Sequence, residues 1–462
     1  MGSGGVGVDC LTKPFRAIRR SDGRIRIPTA AGAMAISHRS ASPITVLQAD
    51  VRFRNTSASG LGLALAAVLS AIAVIAHSPA TAAAATGGAG QPRESAAEGT
   101  PFDRQGMWIW YVNRAEGGSP ARIVARAKRS GIGTVYVKAG DGSGTWGQFS
   151  TGLVRALHRG GLDVCAWQFV YGDAPASEAR VGAAAVAKGA DCLVIDAESQ
   201  YEGKYAAAEA YLRALRSRIG PSFPVSLAGF PYVDYHPAFP YSVFFGPGAA
   251  TYNQPQMYWK AIGTSVRTVF EHTYAYNRLW GHPIYPLGQT YESPGRGEIV
   301  RFRDLAKSYG GTPSWWDWQE TSSRTWGALD AATAGPGPVY RSTFSQPILR
   351  RRSRGDLVVW AQEHLRSAGS PRLAVTGVFS NSTYRAVRAF QSAHGVGADG
   401  VIGASTWSVL LNFNPAPMHW AGGASRSSAH GATASRVAVE PHRPRSASLP
   451  AKAYEIPAAP RP

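Results

Sequence analysis

The sequence contains little cysteine, and this scarcity excludes a small fold held together by a disulfide framework. Only three of its 462 residues are cysteines, and Cys10 lies before the predicted cleavage site, in the part that we expect to be removed. The other two, Cys165 and Cys192, are too few for a disulfide scaffold. They come near the starts of neighbouring predicted strands, so one bridge can form, but we expect two buried free thiols.

Signature motifs of several functional classes are also missing. No His-Glu-x-x-His sequence occurs, and the histidines show no ligand spacing, so we expect no zinc peptidase, no metal and no cofactor. No glycine-rich phosphate turn follows the first predicted strand, which argues against a dinucleotide-binding open sheet. The formal net charge is +19, but no nucleic-acid-binding motif accompanies it, and we expect no nucleic-acid partner.

The amino-terminal part has the pattern of a secretion signal. Residues 1–58 are basic, residues 61–76 are apolar and uncharged, and Ala80-Thr81-Ala82 supplies small residues of the kind found at cleavage sites. The alternative is an uncleaved membrane anchor, which would be the protein's only membrane contact. We therefore expect a secreted, wall-associated protein or an anchored, extracytoplasmic one. Anionic wall polymers of the teichoic-acid type are then the expected electrostatic partners.

After residue 100, apolar strand-like segments alternate with helix-like segments. The predicted strands are 106–112, 133–140, 162–172, 192–198, 224–233, 254–259, 283–291 and 314–320. The predicted helices between them are 121–131, 149–161, 178–190, 205–220, 265–281 and 298–311, with a weaker candidate at 241–249. Eight apolar strands that alternate with helices predict a (β/α)₈ barrel over residues 101–335. A doubly wound open sheet is the alternative.

The rest of the chain divides into four further parts. Residues 1–100 form the basic leader, the signal or anchor segment (61–85) and a linker, while 336–349 form a second linker. Residues 350–412 form a small compact domain with two clear helical stretches. Residues 413–462 are rich in Ala, Ser, Pro and Arg, and we expect them to be disordered.

Two acidic residues end the fourth predicted strand of the barrel. Asp196 and Glu198 follow the apolar run 193–195, and the period-two alternation of a strand places both on one face. Reactive groups in (β/α)₈ barrels lie at the carboxyl ends of the strands. Two neighbouring carboxylates favour one protonated and one ionised member, which is what acid catalysis near neutral pH requires.

Aromatic and polar residues at other strand ends suggest a sugar site around this pair, because flat rings pack on pyranose faces. The predicted substrate-binding residues are Trp108, Trp110, Lys138, Asp141, Gln256, Tyr258, Trp316, Trp318, Gln319 and Glu320. Core packing is the alternative for Trp108 and Trp110, and a structural ion pair is the alternative for Lys138 and Asp141. Either Glu292 or Glu320 can supply a further carboxylate.

Three short motifs resemble the family-25 glycoside hydrolases, the muramidase-type lysozymes. They are "VYVKAGDG" (135–142), "LVIDAES" (193–199) and "WDWQET" (316–321). The resemblance implies a barrel that hydrolyses peptidoglycan, with Glu198 as general acid and Asp196 supporting it or positioning a substrate acetamido group. "QMYW" (256–259) is similar to the sixth strand of chitinase-type barrels. The family's first-strand Asp motif is absent, and Trp108 lies near its place.

A second resemblance covers residues 354–410, which are similar to the peptidoglycan-binding-like domain, a three-helix module. The matching positions are Leu357, Gln362, Leu365, Thr383, Ala386, Val387, Phe390, Gln391, Asp399, Gly400, Gly403, Thr406 and Trp407. Thr376 and Ser380 depart from the pattern. The resemblance implies peptidoglycan or a related wall polysaccharide as partner.

Three functions follow from these observations. The leading hypothesis is an exported enzyme that hydrolyses peptidoglycan glycan strands. The first alternative is a non-catalytic peptidoglycan-binding protein with a degenerate glycosidase barrel. The second is a hydrolase of another polysaccharide, with the small domain serving only as an anchor.

Overall fold

The structure, a computed structural model, describes residues 99–330 and 345–420. The predicted signal segment 61–85, most of the second linker and the tail beyond residue 420 lie outside the described residues. Within the two described ranges, no helix is both long enough and apolar enough to span a membrane.

The described ranges contain the following helices and strands. The strands are Gly106–Ile109 (β1), Thr134–Asp141 (β2), Gly144–Thr145 (β3), Asp163–Val170 (β4), Cys192–Ala197 (β5), Val225–Ala228 (β6), Tyr252–Asn253 (β7), Leu287–Gln289 (β8) and Ser314–Trp316 (β9). The helices are Pro120–Arg129 (α1), Thr151–Arg159 (α2), Pro175–Ala187 (α3), Tyr205–Ile219 (α4), Tyr241–Phe244 (α5), Trp259–Ile262 (α6), Val266–Asn277 (α7), Arg296–Ser308 (α8), Ser323–Leu329 (α9), Asp356–Ser367 (α10), Asn381–Ala393 (α11) and Ala404–Leu410 (α12).

Eight parallel strands form a curled sheet in the order β7-β6-β5-β4-β2-β1-β9-β8, and β3 adds an antiparallel edge to β2. Backbone hydrogen bonds close the gap between β7 and β8. The Tyr285 amide donates to the Asn253 carbonyl (2.8 Å), and the Met257 amide donates to the Leu287 carbonyl (2.7 Å). The predicted (β/α)₈ barrel followed by a small helical domain is therefore confirmed.

The segment predicted as the sixth strand, 254–259, lies beyond the strand that the structure contains. The regular pairing is confined to Tyr252–Asn253, one further bridge forms at Gln256, and α6 begins at Trp259. Pro255 has no amide hydrogen, so it cannot continue a ladder of backbone hydrogen bonds. The side chains near the mouth on this side of the barrel are therefore carried by a loop.

Alternation along β5 divides its side chains between two cores. Leu193 and Ile195 pack against the outer helices, whereas Cys192 and Val194 belong to the aromatic-rich interior of the barrel. This is the alternation expected of a strand that is covered on both faces. It continues to Asp196, whose side chain is therefore directed to the inner face.

Cys165 and Cys192 form a disulfide, so the expectation of two free thiols is wrong. The two residues are direct partners in the parallel pairing of β4 and β5, with their Cα atoms 4.6 Å apart. Both side chains belong to the interior face. The sequence showed that they lie near the starts of neighbouring strands, but only the register shows that they stand side by side.

The small domain uses two glutamines to hold its turns. The Gln362 side-chain oxygen accepts the amides of Thr376 and Gly377, and the Gln391 side-chain oxygen accepts the amide of Gly400. Gly377 and Gly400 have φ angles of 66° and 76°, a region that favours glycine. Both glutamines belong to the sequence motif of the module. The motif therefore specifies the module because its glutamines hold the turns between the helices.

The small domain is packed directly on the barrel through α10. The Ser242 amide and hydroxyl donate to the buried Asp356 carboxylate at 2.8 and 2.6 Å. The Trp360 indole donates to the Leu279 carbonyl at 2.8 Å and packs edge-on against Trp280. The module is therefore held on the barrel by buried polar and aromatic contacts.

Residues 413–420, which the sequence analysis assigned to the tail, lie along α4 of the barrel. The Trp420 ring packs 4.6 Å from the Tyr205 ring, and its amide donates to the Glu209 carboxylate at 2.6 Å. This segment fastens the end of the small domain to the barrel a second time.

Candidate active site

The acid pair occupies the inner face of the barrel at the carboxyl end of β5. Asp196 and Glu198 are each 8% exposed, so both carboxylates are largely buried but still reached from outside. The Gln256 side-chain amide donates to one oxygen of each carboxylate, at 3.1 Å in both cases. Gln256 comes from the loop after β7, so the structure brings together three of the predicted site residues.

Burial controls the protonation of this pair. Loss of hydration raises the pKa of Asp196 well above its usual range, and the neighbouring Glu198 charge raises it further, while Lys138 opposes the shift. Burial also raises the pKa of Glu198, partly offset by the Gln256 hydrogen bond and by His236. Because two like charges cannot both be stabilised here, the pair holds a proton at pH values where ordinary carboxyls have lost it.

Lys138 and Asp141 form a polar group beside the acids. The Lys138 ammonium lies 2.7 Å from Asp141 and is 3% exposed, with the faces of Trp146 and Trp167 at 4.4 and 4.8 Å. The Tyr171 hydroxyl donates to the second oxygen of Asp141. This cation is thus fixed by one carboxylate and by aromatic rings, and the sequence analysis did not identify Tyr171.

The predicted tryptophans fall into three environments. Trp110 and Trp316 are half-buried near the mouth, with ring centroids 5.8 Å apart. Trp108 is 1% exposed and donates to the Ser314 hydroxyl, so it fills the barrel interior. Trp318 packs against Trp326 in the outer core, away from the mouth. Only the first two retain surface that a ligand can touch.

Hydrogen bonds from the segment after β9 connect it to the residues at the mouth of the barrel. Gln319 donates to the Asp317 carboxylate (2.8 Å) and accepts the Trp110 amide (3.3 Å), while Glu320 is exposed. Asp317 is completely buried, and burial raises its pKa to about 7. No sequence pattern marks Asp317 as a site residue, because its burial depends on how the chain turns after Trp316.

Tyr258 lies next to the acid pair and is 7% exposed. Its ring contacts Tyr291 edge-on at 5.6 Å, and its pKa is raised by burial and by the charges of Asp196 and Glu198. The Tyr258 hydroxyl therefore remains protonated and available as a hydrogen-bond donor. Glu292 is exposed and accepts a hydrogen bond from Gln289 at 3.3 Å.

A histidine–carboxylate pair that sequence reasoning missed lies near Glu198. The His236 Nδ1 atom is 2.7 Å from the Glu202 carboxylate, and its ring stacks on Phe230 at 3.4 Å. The two residues follow different strands, β6 and β5, so no spacing motif links them. In residues 99–330 and 345–420, no group of three His, Cys, Asp or Glu side chains is arranged to hold a metal ion.

Comparison with known proteins identifies the small domain. Residues 354–410 match the peptidoglycan binding domain family. No curated protein matches the chain significantly. The chain thus carries a peptidoglycan binding domain at residues 354–410, after the barrel.

Several solved structures are similar over about half of the chain. A spore cortex-lytic enzyme SleL from Bacillus cereus is 12% identical, with 52% of this chain and 77% of that chain covered and a TM-score of 0.37. Active domain 2 of a Pyrococcus furiosus chitinase is 12% identical, with 50% of this chain and 94% of that chain covered and a TM-score of 0.37. An endo-β-1,4-mannanase from Thermotoga petrophila is 10% identical, with 47% of this chain and 68% of that chain covered and also a TM-score of 0.37. Likenesses of this size carry no inference about substrate or reaction.

Proposed function

We propose that the protein is an exported cell-wall glycosidase that hydrolyses the glycan strands of peptidoglycan, with Glu198 as general acid. One observation carries this proposal: two buried carboxyls share a single amide donor, Gln256, at the carboxyl end of a barrel strand. Such a pair retains a transferable proton near neutral pH. The family match of residues 354–410 supports peptidoglycan as the substrate class in this proposal.

In the proposed reaction, Glu198 delivers the proton held by the acid pair to the glycosidic oxygen as the bond to the leaving sugar breaks, and a water molecule then adds to the ring carbon and returns a proton to the pair. Asp196 lies beside it and stabilises the positive charge that develops on the ring carbon, or orients the acetamido group that attacks that carbon. Gln256 keeps the two carboxyls at a fixed separation. Glu292 and Glu320, both exposed, are the candidates for a separate nucleophile.

Partly exposed rings near the acids provide the sugar platform in this proposal. Trp110 and Trp316 offer apolar faces, and the Tyr258 hydroxyl offers a donor. Lys138 and Asp141 line the site next to the acid pair. Their polar atoms are mostly engaged in the ion pair that they form with each other. The proposed platform leaves out Trp108 and Trp318, which are enclosed in the two cores.

The small domain keeps the barrel on its polymeric substrate in this proposal. Because α10 is packed on the barrel, wall binding raises the concentration of glycan around the mouth. The interior disulfide agrees with export, since disulfides persist in oxidising compartments.

A second candidate is a wall-binding protein whose barrel has lost catalysis. The observation that favours it is Trp108, which lies near the place of the first-strand acid in the muramidase-type family. This side chain is 1% exposed and hydrogen-bonded to Ser314, so no carboxylate replaces that acid nearby on β1.

The deciding experiment is incubation of the full protein with insoluble peptidoglycan and quantification of new reducing ends. Glu198→Gln keeps the Gln256 contact and removes the acid, whereas Glu363→Gln makes the same chemical change at a buried site on α10. We expect hydrolysis by wild type and Glu363→Gln only, with all three proteins sedimenting with the wall. Sedimentation without reducing ends from any of them selects the non-catalytic candidate, and hydrolysis of other glycans alone selects a different polysaccharidase.

A further inference from the structure

A second charged cavity lies at the amino-terminal end of the barrel strands, opposite the mouth. Its volume is about 390 Å³, and it is bounded by the residue before β1, the residues before β9 and the ends of α1, α8 and α9. Its lining includes Gln105, Lys128, Arg129, Arg303, Lys307 and Asp330. Four of these six side chains are cationic and one is anionic.

Arg303 is the unusual member of this lining. Its side chain is 2% exposed, and its Nη1 atom donates to the Leu329 carbonyl at 3.2 Å. Its Nε and Nη2 atoms are buried and have no hydrogen-bond partner. A buried guanidinium with two unsatisfied donors is unfavourable unless an acceptor fills the space beside it.

The nearby acids do not provide that acceptor. The Asp330 carboxylate accepts the Ser130 hydroxyl at 2.5 Å, and Asp304 interacts with Arg303 only at longer range. Within the described part of the chain, none of the four cations forms an ion pair within 4.0 Å of a carboxylate. The cavity therefore carries a net positive charge.

Helix ends explain part of this charge but not all of it. Lys128 and Arg129 belong to the last turn of α1, and Lys307 belongs to that of α8. Cations at these positions stabilise the helix dipole and point into solvent in many proteins. Arg303 lies in the preceding turn and is buried, so the dipole does not account for its two free donors.

We infer that this cavity binds a phosphate-bearing polyol or sugar, with the Arg303 guanidinium as its principal contact. The fork of two adjacent N–H groups matches the oxygens of a phosphate group, and Lys128 and Lys307 add charge at the rim. The volume greatly exceeds the roughly 30 Å³ share of one water molecule, so a phosphate enters together with part of the group it esterifies. The ligand is either a free phosphate ester or a unit of a phosphodiester polymer.

The test is calorimetric titration of the full protein with glycerol 3-phosphate, inorganic phosphate and a soluble poly(glycerol phosphate), with glycerol as a neutral control. We expect saturable binding of the phosphate compounds that weakens with added salt, and no binding of glycerol. Tight binding of glycerol 3-phosphate identifies a site for free esters. Binding of the polymer at much lower phosphate concentration identifies a polymer site.

Variants locate the site. Arg303→Gln is expected to weaken binding at least about tenfold, the effect of losing hydrogen bonds to a charged group. The matched control is Arg301→Gln, which removes the same charge from an exposed position on the same helix and should change affinity less than about twofold.

If circular dichroism shows that Arg303→Gln does not fold, the double variant Lys128→Gln/Lys307→Gln is used instead to test whether phosphate binds in this cavity. We compare it with Arg155→Gln/Arg301→Gln, which removes two exposed charges elsewhere. Selective weakening by the first pair supports the site. Equal weakening by both pairs, or the lack of saturable binding to wild type, overturns the inference. This outcome is independent of the proposed glycosidase, because the readout is phosphate binding and not hydrolysis.

Discussion

Among the residues that the structure describes, one pair of buried carboxyls lies at the mouth of the barrel and another lies on helix α10. Asp196 and Glu198 are 8% exposed, whereas Asp356 is 0% and Glu363 is 4% exposed. Burial raises the pKa in all four cases, to about 7 for Asp356 and about 9 for Glu363. Desolvation alone therefore does not distinguish a catalytic acid from an interface acid.

The two pairs differ in what surrounds them. The mouth pair is joined by one amide and is bordered by partly exposed rings and an ammonium group. The Asp356 carboxylate is instead enclosed between two domains and receives both donors of Ser242. The shared donor and the partial exposure are the two features on which our proposal of proton transfer by the mouth pair rests. The α10 pair, which lies at the contact between the domains, is expected to link domain packing to pH.

The largest expected effect is a difference in hydrolytic activity between variants of the mouth pair and variants of the α10 pair. Glu198→Gln should reduce peptidoglycan hydrolysis about 10²–10⁴-fold, the usual loss for a general acid, because the amide cannot donate that proton to the leaving group. Glu363→Gln should leave hydrolysis within about twofold of wild type, since its carboxyl lies outside the mouth. Reducing-end assays on both proteins measure this difference. A full loss in Glu363→Gln would mean that the two pairs are not functionally distinct.

The next effect concerns the barrel beneath the mouth pair. Removing the Cys165–Cys192 disulfide frees a loop of 27 residues, which should lower the free energy of unfolding by about 3.5 kcal/mol. Denaturant unfolding of a Cys165→Ala/Cys192→Ala variant measures the loss. Its hydrolytic activity well below the unfolding transition should be retained, because neither sulfur contacts the acids in the proposed mechanism. Unchanged stability would contradict this account.

The α10 pair should make stability depend on pH. Both carboxyls have folded-state pKa values above the ordinary ones, so folding binds protons and stability decreases as pH rises. The decrease falls between about pH 4 and 7 for Asp356 and between about pH 4 and 9 for Glu363, and it ends where both groups are ionised in the folded state as well. Urea unfolding at several pH values should show a flatter profile for Asp356→Asn/Glu363→Gln than for wild type.

The smallest expected effect lies near the mouth. The charge of His236 lowers the pKa of Glu198, so His236→Gln should raise that pKa and move the alkaline limb of the pH–rate profile upward. Because the His236–Glu202 pair is partly exposed, we expect a small displacement. His272→Gln, which removes a second histidine–carboxylate pair bonded to Asp234, is the control and should leave the limb in place. Displacement by both variants would indicate a general charge effect.

Much of the fold and part of the site could be predicted from the sequence because the relevant signals are local. Eight apolar segments with basic, glycine-ended helices between them predicted the barrel, and period-two alternation correctly placed Asp196 on the inner face. The glutamine and glycine motif of the small domain was equally readable, since Gln362 and Gln391 bond turns that lie within 20 residues of them.

The prediction that Trp318 binds substrate was wrong, because it relied on local alternation alone. Alternation along the last strand would have placed it on the inner face with Trp316, but β9 ends at Trp316 and the chain turns, so the ring enters the outer core. Likewise, the apolar pattern placed the sixth predicted strand at 254–259, whereas the regular pairing of that strand ends at Asn253, before Pro255. An apolar pattern does not record the residue at which a strand ends.

By itself, the sequence determined the alternating strands and helices of the barrel, the peptidoglycan-binding module and the inner-face position of Asp196, because each follows from a pattern of residues close in the chain. Tertiary structure alone decided the rest. Gln256 reaches the acids from 60 residues away, the two cysteines meet through strand register, and Arg303 is enclosed by segments distant in sequence. Burial and donor sharing between distant segments follow from packing, which no local pattern encodes.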